Sequence, residues 1–205
     1  TLNGRFVNEM DFKDSDSSKT TMDRIYSEWT PTDQTYVRIG RQGVALDQTG
    51  TFWDEDGEYD GITAGWDNGK IGIDAGYGYL KSAYENKAGD AYASKNGTES
   101  WFAKLTGHVA EGADVSAFYL GAPKKFDKWA YTGDKHADVW GVGTTIGLGH
   151  SNFTLDGDYI KTQLSGTYDD HKADDPALWT AGLTYGAVDT DKVGSWQLGV
   201  LYVKA

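Results

Sequence analysis

The chain has 205 residues, a formal net charge of −12, 27 glycines, 3 prolines and no cysteine. So much glycine is unfavourable in helix interiors and common at turns, which argues against a helical protein. The negative balance argues against nucleic acid as a partner, because phosphate binding needs a basic surface.

No apolar run approaches the roughly 18 residues of a membrane helix. The mean hydropathy of −0.58 is silent about spanning strands, whose apolar residues are diluted by lumen-facing residues and polar loops. The lack of cysteine is compatible with a cell-envelope location. Thr1 is not an initiator methionine and no signal peptide precedes it, so a mature or trimmed piece is expected.

In chain order, 1–12 reads as a first strand, 14–20 as a polar loop and 21–29 as a second strand. A turn at Pro31-Thr32-Asp33-Gln34 leads into a strand at 36–41, and Gln42 to Gly57 is a long polar loop ending in acids. The clearest stretch is 62–80. Ile62, Ala64 and Trp66 alternate with glycine and threonine, Asp67-Asn68-Gly69 supplies turn residues, and Ile71, Ile73, Ala75, Tyr77 and Tyr79 alternate with lysine, aspartate and glycine. Period-2 alternation puts one apolar and one small or polar face on each arm. That is how a transmembrane β-strand reads, apolar toward lipid and polar toward a wet lumen.

Further strands are expected at 101–109, 114–120, 138–148, 153–159, 179–185 and 196–202, separated by long loops at 81–97, 121–136 and 162–176 and by short turns at 110–113, 149–152 and 186–194. Connections alternate long and short throughout, as in up-and-down outer-membrane barrels. The expected fold is therefore all-β, an antiparallel up-and-down transmembrane β-barrel with about eleven strands present. Eleven is odd, and an open edge in lipid leaves each backbone group unsatisfied at several kcal/mol. Residues 1–205 are accordingly expected to form a single barrel domain, incomplete at one or both ends.

Three stretches carry a resemblance: Tyr36-Val37-Arg38-Ile39-Gly40-Arg41-Gln42, then Tyr59-Asp60-Gly61-Ile62, then Gly69-Lys70-Ile71-Gly72-Ile73-Asp74-Ala75-Gly76-Tyr77-Gly78. A strand ending in Gly-Arg-Gln, a long loop and a strand opening with Asp-Gly-Ile is similar to the putative-porin family of bacterial outer membranes, which includes trimeric porins tethered to the wall through S-layer-homology modules. The resemblance implies a trimeric diffusion channel of about sixteen strands, in contact with membrane lipid and lipopolysaccharide and passing small hydrophilic solutes. It also implies that the loop from Gln42 to Glu58 folds into the lumen as a constriction. About two strands would then be missing before Thr1 and about three after Ala205.

Charged residues supply the candidate site. Asp54, Glu55, Asp56, Glu58 and Asp60 form the densest acidic cluster, and Arg5, Arg24, Arg38, Arg41, Lys70 and Lys104 are basic candidates to face it across the pore, with Asp74 on the same wall. Opposed charges across a narrow gap create a transverse field that tunes ion selectivity. The bland reading is a solvated acidic loop. Asp54-x-Asp56-Gly57 also offers oxygen ligands to Ca²⁺, but the rest of a calcium-loop spacing is missing, so no cofactor is expected.

Trp29, Trp66, Tyr77, Tyr79, Trp101, Trp140, Tyr185, Trp196 and Tyr202 read as interfacial aromatic girdles; the alternative is a dry core between two sheets. His108, His136, His150 and His171 lack zinc spacing, and Gly141-x-Gly143-x-x-x-Gly147 lies inside a strand without the lysine or helix of a nucleotide loop. No Gly-x-Ser-x-Gly occurs, so an enzyme is not expected. The reading is an outer-membrane porin, with a mild cation preference drawn from the loop charges. A secreted or surface carbohydrate-binding module is the alternative.

Overall fold

The computed structural model describes residues 1–9, 19–53, 58–80, 98–122, 131–132, 137–149, 151–164, 167–168, 171–172, 175–188 and 191–205. The strands in chain order are β1 (Leu2–Glu9), β2 (Lys19–Thr32), β3 (Thr35–Gly43), β4 (Glu58–Asp67), β5 (Ile71–Leu80), β6 (Thr98–Ala110) and β7 (Ala113–Ala122). They continue with β8 (Tyr131–Thr132), β9 (Ala137–Gly147), β10 (Phe153–Leu164), β11 (Thr167–Tyr168), β12 (His171–Lys172), β13 (Ala177–Gly186) and β14 (Gln197–Lys204).

Eleven of these form one antiparallel sheet in the order β1-β2-β3-β4-β5-β6-β7-β9-β10-β13-β14, each strand beside its neighbour in sequence. The sheet is not closed; β1 and β14 are its two edges. All eleven expected strands are present, within a few residues of the expected bounds. The three two-residue strands were not expected. They pair as β12-β11-β8 inside the stretches 121–136 and 162–176, read from sequence as plain loops. Two-residue pairings have no periodicity to betray them.

The β4–β5 turn shows why the chain reverses where it does. Asp67 Oδ1 accepts the Gly69 N–H at 2.6 Å, and Asn68 Oδ1 accepts the N–H groups of Lys70 and Ile71 at 2.9 Å each. These Asx contacts replace backbone bonds the reversal breaks, and Gly69 takes the left-handed φ of 79° that a side chain would oppose.

The two faces of the large sheet differ. On the open face Ile39, Ile62, Ile73, Leu105, Val142, Leu155, Leu183 and Val200 are all exposed. Ile73 is 48 % exposed and Trp196 58 %, so neither is packed into a dry centre. Among the described residues no second large sheet covers this face.

Aromatic side chains cluster at both ends of the open face. Toward the long connections, Trp101 stacks on Tyr119 at 5.0 Å, while Tyr159 touches Trp140 at 5.5 Å and Trp179 at 4.3 Å. Toward the short turns, Tyr185 lies 4.7 Å from Phe153 and 5.5 Å from Trp196, and Trp66 occupies the equivalent end of β4. From Trp179 to Tyr185, or from Phe153 to Tyr159, is about 20 Å along the strand at ~3.4 Å per residue. Of the expected girdle residues, Tyr202 departs from the rows. It pairs with Ala181, inside the row that holds Trp179.

The opposite face carries Thr63, Gly65, Asp74, Gly76, Ser100, Lys104, Ser116, Gly141, Gly143, Asp158 and Thr180, the glycine-rich parity expected to stay wet. Part of it is instead buried. Leu46, Tyr59, Phe102, Phe118, Leu120, Val139 and Ile160 form an apolar cluster, with Phe52 and Trp53 packed against it. Glycine makes this possible. A Cβ on Gly76 would lie 2.3 Å from the Phe102 ring, and one on Gly141 2.4 Å from the Phe118 ring, so the rings lie flat over bare backbone.

Gly40, Gly61 and Gly78 pair in a row across β3, β4 and β5. A Cβ on Gly61 would stand 2.4 Å from the Tyr77 carbonyl oxygen, which is backbone and cannot swing away. Gly61→Ala is expected to destabilise the protein by about 1–3 kcal/mol, the usual range for overpacking; urea unfolding of the refolded protein measures it.

Candidate functional site

Residues 44–53, which leave the end of β3, lie across the covered face. Asp47, 4 % exposed, organises the segment from within, accepting the N–H groups of Phe52 at 3.1 Å and Trp53 at 2.8 Å. The Leu46 N–H bonds the Trp53 carbonyl at 2.9 Å, closing a compact loop. Its apolar residues Leu46, Phe52 and Trp53 turn toward the sheet, and Phe52 stacks on Phe118 at 5.8 Å.

The loop's polar tip is held by side chains of four strands. Asp158 on β10, 5 % exposed, accepts the Gln48 N–H at 3.0 Å with one carboxylate oxygen and the Thr49 N–H at 2.8 Å with the other. The Gln48 amide donates to Ser116 on β7 at 2.8 Å and accepts from Thr145 on β9 at 3.0 Å. Thr49 bonds Thr180 on β13, hydroxyl to hydroxyl, at 3.1 Å. Lys104 donates to the Ala45 carbonyl at 3.1 Å. Charge-assisted bonds such as those to Asp158 exceed neutral ones in strength.

Beside this loop runs a charged band on the same face. Arg38 Nε donates to Glu28 at 2.6 Å, and its guanidinium lies over the rings of Tyr36 at 4.5 Å and Tyr26 at 5.4 Å. The Tyr36 hydroxyl donates to Asp74 at 2.6 Å, and Asp74 is the register partner of Lys104. An open hollow of about 570 Å³ adjoins the band, lined by Glu28, Tyr36, Arg38 and Asp74 with the β2–β3 turn. At the turn end, His108 contacts Asp67 at 3.0 Å and Asp114 at 2.8 Å, joining two neighbouring hairpins.

Of the expected pore residues, the structure brings Arg38, Asp74 and Lys104 together on the covered face, and Arg24 shares their parity on β2. Arg41 and Asp60 do not belong with them. They are register partners on the open face, joined by two bonds of 2.8 and 3.2 Å, beside a shallow hollow of about 490 Å³ lined by Ile25, Ile39 and Ile62. Alternation fixes this, since Arg41 shares parity with Ile39 and Asp60 with Ile62. Lys70 lies in the β4–β5 turn, on neither face. Asp54, Glu55 and Asp56 lie outside the described residues, as do the Glu58 side chain, His136 and His150. Arg5 is in β1, but its side chain is likewise outside the described residues, as is that of His171.

The sequence reading missed Asp47, Gln48, Asp158, Ser116 and Thr180. A signal existed: Leu46, Phe52 and Trp53 are large apolar residues in an otherwise polar loop, and such residues tend to be buried. Among the described residues no group of three His, Cys, Asp or Glu side chains is arranged to hold a metal ion. No protein-family model and no curated protein matches the chain.

Proposed function

We propose that the protein is a bacterial outer-membrane channel for passive diffusion of small hydrophilic solutes and ions. In this reading the open face meets lipid, its aromatic rows lie at the two interfaces, and the covered face lines a water-filled lumen. Further strands joining β1 to β14 would close the wall, since exposed ladder edges are not tolerated in hydrocarbon.

The observation that carries this reading is the open face itself. It is an apolar surface running across the strands of the large sheet from β3 to β14, with aromatic side chains toward both ends, opposite a face that carries glycine, hydroxyl and charge around the loop-covered apolar cluster. A water-soluble monomer rarely exposes a contiguous apolar patch beyond a few hundred Å². The loop 44–53 narrows the lumen in this reading, and the Arg38–Asp74–Lys104 band lines what remains.

The covered-face parity also carries Glu28, Asp67, Asp74, Asp114 and Asp156 against Arg24, Arg38 and Lys104. A surplus of carboxylates raises the local cation concentration. Reconstituted into planar bilayers, the full-length protein is expected to give stepwise conductance, with a reversal potential of cation-selective sign in a KCl gradient. Lack of any conductance from protein that has inserted and resists detergent unfolding would end the channel reading. An anion-selective sign would refute the cation preference alone.

A further inference from the structure

We infer that Gly143, Ser116, Thr145, Asp158 and Thr180 form a socket that holds Gln48-Thr49 permanently, making the loop 44–53 a fixed part of the wall rather than a gate. This rests on the channel reading for its role but not for its geometry.

Three features make it a socket. The carboxylate of Asp158 is almost wholly buried and spends one oxygen on each of two consecutive backbone N–H groups. Both ends of the Gln48 amide are engaged by hydroxyls from different strands. Finally, Gly143 leaves the space that the loop fills. A Cβ there would stand 2.0 Å from Asp158 Oδ1 and 2.9 Å from Gln48 Cγ. Any side chain at 143 displaces the carboxylate and the glutamine together.

The pattern is selective for this dipeptide. Two successive N–H donors, a side chain that both donates and accepts, and a following hydroxyl are needed to satisfy Asp158, Ser116, Thr145 and Thr180 at once. Undocking gives up the two charge-assisted backbone bonds to Asp158 and both Gln48 amide bonds in one step, and uncovers the apolar side chains beneath the loop. Asp158 is thus a positioning residue. It acts on permeation through the loop, and its charge is absorbed by the loop backbone rather than presented to passing ions.

Two variants loosen the loop and one cross-link tests its place. Gln48→Ala removes both amide bonds without touching the wall, and Gly143→Val fills the socket. Each is expected to raise single-channel conductance several-fold, to add open-channel noise, and to expose Leu46, Phe52 and Trp53 to chymotrypsin. The chain has no native cysteine, so Thr49→Cys with Thr180→Cys, whose hydroxyls are 3.1 Å apart, creates a unique pair. On oxidation it should form an intramolecular disulfide, read by mass, and in the Gln48→Ala background that bond should reverse the rise in conductance and the cleavage.

Failure of the disulfide to form, or a loop that stays protected and a conductance that stays at the wild-type value in both loosened variants, would overturn the inference. If the disulfide forms but the inserted wild-type protein conducts nothing, the socket stands and the channel reading falls.

Discussion

A Leu183→Arg protein is expected to lose about 2–4 kcal/mol of folding stability in lipid, whereas Thr184→Arg, one residue along, should fold nearly normally and change conductance instead. Leu183 is on the open face of β13, between the aromatic ends at Trp179 and Tyr185, close to the middle of the apolar band. A guanidinium there must leave water with no partner in reach. Thr184 points to the other face, among Thr154 and Gly199, which the channel reading makes the wet side. The same exchange at Ile73, which pairs with Trp66 at the turn end, should cost less because the interface is nearer. Denaturant titration in phospholipid vesicles measures both positions. Equal small losses at 183 and 184 would mean that the two faces see the same solvent.

Phe118→Ala is expected to cost about 3–5 kcal/mol, the range for truncating a buried aromatic. Phe118 is buried on the covered face, flat over Gly141 and stacked on Phe52 of the loop. Removing it leaves a void that Gly141 cannot fill, having no side chain of its own. The loop loses its apolar support while the socket bonds to Gln48 and Thr49 remain. The expected phenotype is therefore a lower unfolding midpoint with the Phe52–Trp53 region newly sensitive to chymotrypsin. An unfolding free energy within about 0.5 kcal/mol of wild type, the scale of a surface change, would show that the aromatic cluster is not a packed unit.

The strands were legible because each carries a two-residue period and is bounded by turn chemistry, as at Asp67-Asn68-Gly69. Faces were legible for the same reason, with one lapse. Arg41 has the parity of Ile39, and Asp60 that of Ile62, so their outward direction was available from alternation alone. Grouping them with the pore charges let charge outweigh period, and the register Arg41↔Asp60 decides against it.

That residues 44–53 pack across one face of the sheet was not legible from periodicity, because a loop's destination depends on partners far away in sequence. Gln48 and Asp158 are 110 residues apart. The buried patch on the covered face left a fainter trace. Phe102, Phe118, Leu120, Val139 and Ile160 all fall on the parity that is otherwise small or polar, and all prove to be buried. Five large apolar side chains on the nominally wet parity are a sign that something covers it.

If the protein is the channel proposed above, the outward pair of Arg41 and Asp60 bears on how it would sit in a bilayer. The pair is level with Tyr79, the register partner of Asp60, at the rim nearest the long connections. Charges at that level are nearly free, while submerging one to the midplane costs about 2–4 kcal/mol. In that setting the pair would act as a waterline mark, with sinking opposed by ion solvation and rising opposed by the bare isoleucines beneath it. In the proposed channel this salt bridge would help to set the vertical placement of the molecule alongside the length of its strands.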